Sequence, residues 1–246
     1  MRALIGAWRL ARLLLHGLHG LAIILLRFDA YSPAQRHARI QWWSAKVLRL
    51  IGIALHPQGT PHPGAKLLVA NHVSWLDIAA IHAVVPQARF VSKSDVRDWP
   101  LIGRLVSGAG TLYIEREKKR DALRVVHRMA EALRDGDTVA VFPEGTTGDG
   151  RTLLPFHANL LQAAVATETP VQPVVLRFFD AQHAISPLAE FLGETTLAQS
   201  AWRFVCARGL NVEVKLLPML ATAHAERRAL AEQLRAVIAQ SLPQDG

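Results

Sequence analysis

A histidine and an aspartate five positions apart are the first residues in the sequence that could do chemistry together. His72 lies two positions after the apolar run 67–70, and Asp77 follows five positions later. A tight turn would let the carboxylate contact the imidazole, hold one tautomer and stabilise the imidazolium that forms on proton uptake. His72 would then be a general base suited to neutral pH. As an alternative, Ser74 and Asp77 could simply cap a following helix.

A second polar segment, Phe-Pro-Glu-Gly-Thr-Thr at residues 142–147, also follows an apolar run. Pro143 and Gly145 favour a loop whose backbone can approach a ligand closely. Glu144 and the hydroxyl of Thr146 can hydrogen-bond to the hydroxyls of a glycerol-like or sugar-like molecule. A plain turn between a strand and a loop is the alternative.

Two cations and one proline could complete a site. Arg116 ends the segment 110–116, and its planar guanidinium matches a pair of phosphate oxygens. Lys93 ends the segment 89–93 in the same way, and Pro173 could shape a wall. Taken alone, each of these residues also fits an ordinary surface or strand position.

The elements that must position these side chains alternate regularly from residue 65 onward. Apolar runs predict strands, and amphipathic segments predict helices. The predicted strands are 67–70, 90–91, 111–114, 139–142, 171–178 and 212–217, and the predicted helices are 78–85, 121–134, 158–166 and 225–241. This alternation predicts an α/β domain at 65–246, with a largely parallel central sheet flanked by helices. In such sheets ligands bind at the carboxyl ends of the strands.

The first 56 residues predict a pair of membrane-associated helices, joined to the domain by a breaker-rich linker at 57–64. The apolar run 13–26 would extend about 21 Å as a helix, against about 30 Å of bilayer hydrocarbon. A shallow or re-entrant insertion therefore fits better than a full span, although a span with snorkelling ends stays open. No small-residue cleavage pattern of a secretory signal follows the run.

The segment that follows has the pattern of a basic amphipathic helix. Apolar residues recur at helical spacing from Ile40 to Ala54, with arginines and lysines mostly on other faces. Trp42 and Trp43 suit the headgroup boundary of a membrane. The pattern predicts a helix lying in the membrane interface, with packing on its own domain as the alternative.

Composition limits the remaining classes of protein. Half of the 246 residues are apolar, which excludes global disorder, and 28 basic against 20 acidic residues give a net charge of +8. That charge suits an anionic membrane, a phosphorylated substrate or nucleic acid, but no nucleic-acid docking motif is evident. The sequence shows no metal-binding pattern and no Gly-x-Ser-x-Gly, so neither a metal nor a covalent acyl-enzyme is expected.

The order of the motifs resembles the glycerolipid acyltransferase family, whose best known members are the 1-acylglycerol-3-phosphate acyltransferases. The motifs are His-x4-Asp at 72–77, Gly-x4-Glu-Arg at 110–116, Phe-Pro-Glu-Gly-Thr at 142–146 and Pro-Val at 173–174. Four ordered motifs together are specific, whereas any one alone is not. The resemblance covers roughly residues 67–175.

The resemblance implies a role for each site residue. It implies that His72 deprotonates the acceptor hydroxyl, that Asp77 orients His72, and that Arg116 binds the acceptor phosphate with help from Lys93. The remaining residues would form the acceptor pocket: Glu144, Gly145, Thr146 and Pro173.

The implied reaction moves a fatty acyl group from acyl-CoA or acyl carrier protein to a lysolipid at the cytoplasmic face of the cell membrane, without a cofactor. The expected acceptor is 1-acylglycerol-3-phosphate, giving phosphatidate. Thr147 stands where the family often has arginine, and the continuation Thr-Thr-Gly-Asp-Gly resembles relatives that act on other lysolipids, including lyso-ornithine lipid. A non-catalytic lipid-binding protein and a lipid hydrolase are alternatives of other classes.

Overall fold

The computed structural model describes residues 2–99, 102–114 and 119–243. Within these ranges seven strands form one sheet, in the order β1-β7-β6-β2-β5-β3-β4. They are β1 (Ala54–Gln58), β2 (Lys66–Ala70), β3 (Ala88–Lys93), β4 (Leu112–Ile114), β5 (Thr138–Val141), β6 (Val171–Phe179) and β7 (Asn211–Leu216). Only the β6–β7 pair of this sheet is antiparallel, which confirms the predicted largely parallel α/β fold.

Helices cover both faces of the sheet. They are α1 (Arg2–Leu26), α2 (Pro33–Ile51), α3 (Asp77–Val84), α4 (Ile102–Gly108), α5 (Lys119–Arg134), α6 (Gln162–Ala166), α7 (Leu197–Cys206) and α8 (Arg227–Ser241). Residues of α2, α3 and α7 pack on one face, and residues of α5, α6 and α8 pack on the other. In β2, Leu67 and Leu68 face opposite cores, which explains why this strand reads as a continuous apolar run.

Helix α2 belongs to the core of the protein. Its start is set by Ser32, which forms a reciprocal capping box with Gln35, and its end by Gly52, which has a φ of +93°. Val47, Leu48 and Ile51 are buried in the core on that face of the sheet. The helix therefore packs against the α/β domain, which is the alternative left open by its amphipathic pattern.

The segment after α2 differs from the predicted linker. Residues 54–58 form the edge strand β1, which pairs in parallel with β7, so the first two residues of the predicted linker belong to the sheet. Its sequence, Ala-Leu-His-Pro-Gln, contains no apolar run, and Pro57 is tolerated because an edge strand need not donate every N–H. Long-range pairing forms this strand despite its weak local pattern.

Helix α1 lies along the outside of the helical layer that contains α2 and α7. At 25 residues it extends about 37 Å and is long and apolar enough to cross a membrane by length and composition alone. It packs mainly on α2, α4 and α7, and the guanidinium of Arg9 donates to the carbonyls of Val205 (3.1 Å) and Ala207 (2.6 Å). Its other side exposes large apolar residues: Leu4, Trp8, Leu14, Leu15, Leu18, Leu25 and Leu26.

Candidate active site

The carboxyl ends of β2 and β5 bring the two polar motifs together. These strands are parallel neighbours in the sheet, so the segments that follow them leave at the same edge. His72 follows β2 and Glu144 follows β5. The two motifs are 72 residues apart in sequence and are joined by a hydrogen bond.

The imidazole of His72 and the carboxylate of Asp77 form a hydrogen-bonded pair. Nδ1 of His72 lies 2.8 Å from Oδ2 of Asp77, and that same oxygen accepts the backbone N–H of Val73 (2.7 Å) and of Ser74 (2.9 Å). The Asp77 side chain is fully buried, whereas that of His72 is 19% exposed. With Nδ1–H donating to the carboxylate, Nε2 is the basic nitrogen and can take up a proton.

Glu144 holds the backbone of the histidine segment. Its Oε1 accepts the backbone N–H of His72 (2.8 Å), and its Oε2 accepts that of Leu154 (2.9 Å). The side chain is buried, and this burial raises the pKa of the Glu144 carboxyl. Both oxygens are engaged by backbone donors, so the geometry favours a positioning role over the direct contact with an acceptor hydroxyl that the sequence suggested.

Further bonds tie the two loops into one unit. The N–H of Gly148 donates to the carbonyl of His72 (2.7 Å). Gly145 has a φ of +73°, a conformation that glycine adopts readily and that turns the chain directly after Glu144. The side-chain amide of Asn71 bonds both the N–H and the carbonyl of Leu176 in β6. The histidine is thereby anchored to both neighbouring strands.

Phe142 stacks on the catalytic candidate and was not identified as a site residue from the sequence. Its ring lies 4.0 Å from the His72 ring, centroid to centroid, with 11° between the planes, and Phe90 stacks behind it at 5.5 Å. This stack restricts rotation of the imidazole plane. The only sequence signal was an aromatic residue at the end of a buried strand, immediately before Pro143.

An apolar cavity of about 360 Å³ extends from His72 between the helices. This is within the range of about 300–1,000 Å³ for small-molecule sites. Helices α1 to α4 provide most of its walls, and the lining residues are largely apolar or glycine, including Ile23, Ile24, Trp43, Ile78 and Leu105. The cavity therefore suits a hydrocarbon chain, with the imidazole of His72 as one of its polar groups.

The structure does not bring all predicted site residues to this cavity. Lys93 is the last residue of β3 and reaches the same sheet edge, while Arg116 lies outside the described residues. Thr146 is exposed on the loop. Pro173 does not line this cavity: it is buried in β6 beside Val69 of β2, before the strands reach the edge.

Thr147, which stands where the family often has arginine, has its side chain turned toward residues 190–191. Thr147 donates its hydroxyl to the carbonyl of Phe191, and Arg151 pairs with Glu190 in that same region (2.8 Å). The loop that follows Glu144 is thus tied to residues 190–191, and Thr147 brings no positive charge to it.

Known proteins resemble this chain in sequence and in fold. Residues 55–177 match the family model described as Acyltransferase. A 1-acyl-sn-glycerol-3-phosphate acyltransferase of Neisseria meningitidis is 34% identical over 219 residues, covering 86% of this chain and 85% of that protein. A lyso-ornithine lipid O-acyltransferase of Pseudomonas aeruginosa is 33% identical over 252 residues, covering 98% and 94%.

The fold is also that of a solved structure. The crystal structure of a 1-acyl-sn-glycerophosphate acyltransferase from Thermotoga maritima superimposes with a TM-score of 0.66, covering 95% of this chain and 96% of that one, at 20% sequence identity.

Proposed function

This chain belongs to the Acyltransferase family, and from that premise we propose that it transfers a fatty acyl group from a carrier thioester to 1-acylglycerol-3-phosphate, giving phosphatidate in phospholipid biosynthesis. The observation that carries the proposal is the His72–Asp77 pair, whose histidine lines an apolar cavity. A base at this place can activate a hydroxyl whose hydrocarbon chain lies in the cavity.

The reaction is direct transfer between two substrates. Nε2 of His72 takes the proton of the acceptor hydroxyl while the oxygen attacks the thioester carbonyl carbon. When the tetrahedral intermediate collapses, the carbon–sulfur bond breaks and the imidazolium returns the proton to the thiolate, giving an ester and a free thiol. Asp77 stabilises the imidazolium between these steps through its bond at 2.8 Å.

The rigidity of the loop supports this assignment. Glu144 bonds the backbone of His72, and Phe142 stacks on its ring, so the imidazole is held before substrate binds. Such positioning contributes to rate because the reacting groups need not be ordered during the reaction.

The exposed side of α1 favours attachment in the plane of the membrane. One side of α1 is packed on the protein along its length, with Gly6 and Gly20 at the contacts and Arg9 bonded to the end of α7. Its outward leucines and Trp8 are available to hydrocarbon. We propose that this attachment is at the cytoplasmic face, where the acyl carriers are.

Lyso-ornithine lipid is the second candidate acceptor. The Pseudomonas aeruginosa relative named for that activity aligns over nearly the whole chain, and Thr147 gives the loop no charge for a phosphate. Both acceptors present a free hydroxyl on a lysolipid, so the chemistry at His72 is the same for either.

Purified protein in mixed micelles tests the proposal. Labelled acyl-CoA and acyl carrier protein thioester would each be offered with lysophosphatidate, lyso-ornithine lipid and other lysolipids. We expect labelled phosphatidate from lysophosphatidate. In His72→Ala the rate of acyl transfer should be about 10²–10⁴-fold lower, with an unchanged circular dichroism spectrum. Faster turnover of lyso-ornithine lipid would establish the second acceptor. A folded His72→Ala protein of undiminished activity would refute the assigned base, and binding without transfer would indicate a lipid-binding protein.

A further inference from the structure

An arginine of α2 occupies the rim of the apolar cavity that contains His72. Arg39 lines this cavity and is exposed, and it is the only arginine or lysine among the described residues that do line it. Trp99, another lining residue, is 43% exposed, so the rim carries a cation and an indole. That combination is typical of sites where an amphipathic molecule meets water.

The guanidinium of Arg39 lies over two aromatic rings. Its Cζ lies 5.9 Å from the ring centroid of Tyr31 and 6.0 Å from that of Trp42. A guanidinium near ring faces is stabilised by cation–π attraction, while the N–H donors at its edge stay available for a planar pair of oxygens.

Within the described part of the chain, no carboxylate pairs with Arg39. Other arginines do have such partners there: Arg89 pairs with Asp137, Arg151 with Glu190 and Arg177 with Glu213. Arg36, one turn earlier on α2, donates to the carbonyls of Tyr31 and Asp29 (both 3.1 Å). Among the described residues, the N–H donors of Arg39 therefore have no hydrogen-bond or carboxylate partner, and its charge is met only by the two aromatic rings.

We propose that Arg39 binds an oxyanion of the acceptor headgroup while the hydrocarbon chain of the same lysolipid lies in the cavity. The ligand chemistry is a phosphate or a carboxylate on a single-chain amphiphile, and the inference rests on the proposed function. One wall of the acceptor site then comes from α2, outside the motif-bearing segments. Arg39 acts on binding, and the proton transfer stays with His72.

Lys46 provides a matched control for surface charge. It lies on the same helix and contacts the same indole, with Nζ 4.8 Å from the Trp42 centroid, but it does not line the cavity. Both cations would attract an anionic bilayer alike, each adding to a general surface attraction. Only Arg39 is placed to hold the headgroup of a lipid in the cavity.

The experiment compares Arg39→Gln, Arg39→Lys and Lys46→Gln in the full-length protein, in neutral-detergent micelles. Equilibrium binding is measured for lysophosphatidate, for lyso-ornithine lipid as the carboxylate arm, and for monoacylglycerol of the same chain length. We expect Arg39→Gln to weaken binding of both lysolipids that carry an oxyanion about 10- to 100-fold, as loss of a charge-assisted pair does. Monoacylglycerol binding and the affinity of Lys46→Gln should stay within about twofold of wild type.

Turnover gives a second readout. In Arg39→Gln the KM for the acceptor should rise with kcat nearly unchanged, and Arg39→Lys should recover part of the loss because it keeps the charge without the planar fork. A larger effect on lysophosphatidate or on lyso-ornithine lipid identifies which oxyanion the site prefers.

Three results would overturn the inference. Equal losses of affinity in Arg39→Gln and Lys46→Gln would show that Arg39 acts only as surface charge. An equal loss of affinity for monoacylglycerol in Arg39→Gln would show that Arg39 acts only through packing. Unchanged binding in Arg39→Gln would show that Arg39 is not part of the site. The proposed function fails separately: a wild-type protein that binds lysophosphatidate through Arg39 but transfers no acyl group would refute the transferase and leave the binding site standing.

Discussion

Replacing Asp77 by asparagine separates the charge of this residue from its geometry. Asparagine has the same shape but no negative charge, and it carries one acceptor oxygen and one NH2 group. In Ser-His-Asp triads the corresponding exchange costs about 10⁴-fold in kcat because the amide selects the wrong histidine tautomer. The outcome here depends on which way the new amide faces.

Two backbone donors decide that orientation. Oδ2 of Asp77 accepts the N–H groups of Val73 and Ser74 as well as Nδ1 of His72, whereas the buried Oδ1 has no hydrogen-bond partner among the described residues. An amide with its oxygen at the Oδ2 position keeps all three bonds and leaves only its NH2 unpaired, at about 1–3 kcal/mol. The flipped amide would leave both backbone donors unpaired, at about twice that cost.

The amide oxygen should therefore face His72 and preserve the productive tautomer. What is lost is the charge-assisted part of the bond to the imidazolium, about 1–2 kcal/mol, which corresponds to about 5- to 30-fold in rate. We expect Asp77→Asn to retain measurable activity, with kcat reduced by this amount and stability reduced by about 1–3 kcal/mol. Asp77→Ala, which removes all three bonds, should approach the loss of His72→Ala.

The assay is the rate of labelled acyl transfer at saturating acceptor, with urea unfolding to measure stability. A folded Asp77→Asn protein whose kcat falls by 10³-fold or more would show that the backbone donors do not control the amide. A kcat equal to that of wild type would show that the carboxylate charge has no part in the reaction.

Other perturbations test the frame around the site. Glu144→Gln keeps one acceptor oxygen and so loses one of its two backbone bonds, and we expect about 5- to 30-fold lower kcat at unchanged acceptor KM; a raised KM with normal kcat would instead indicate direct acceptor contact. Burial lowers the pKa of His82 to about 4, below the usual value near 6.5. Between the usual value and this lowered one, His82 binds a proton in the unfolded chain but not in the folded chain. The free energy of unfolding should therefore fall by up to about 3 kcal/mol as the pH drops through this range. Urea unfolding of His82→Gln at the same pH values should lack this part of the fall. A Cβ at Gly20 would lie 2.4 Å from Nε1 of Trp43, so Gly20→Ala should lower the free energy of unfolding by about 1–3 kcal/mol; unchanged stability would show that α1 can move away freely.

The pairing of His72 with Asp77 was predictable because it is local. The two residues are five positions apart, at the junction of an apolar strand and a helix, and a tight turn brings them together in few conformations. The stacking of Phe142 on His72 was not predictable in this way. It depends on β5 being the immediate neighbour of β2, a choice made by sheet order.

The role of Glu144 also could not be predicted from the local sequence. A carboxylate in a loop after a strand is compatible with binding a ligand, and residue type alone cannot distinguish that from holding a backbone. The distances decide, because its two oxygens lie within hydrogen-bond range of the N–H groups of His72 and Leu154.

By itself, the sequence determined the α/β class, most strands of the sheet, an apolar N-terminal segment and the ordered motifs that resemble one enzyme family, whereas the N-terminal helix is longer than its apolar run. These features follow from residue type and periodicity over short stretches of chain. Only the tertiary structure decided that β1 joins the sheet, that α2 packs in the core, and that four helices enclose a cavity with Arg39 at its rim. Each of these depends on contacts between residues far apart in the chain, and no local pattern encodes which distant surfaces will meet.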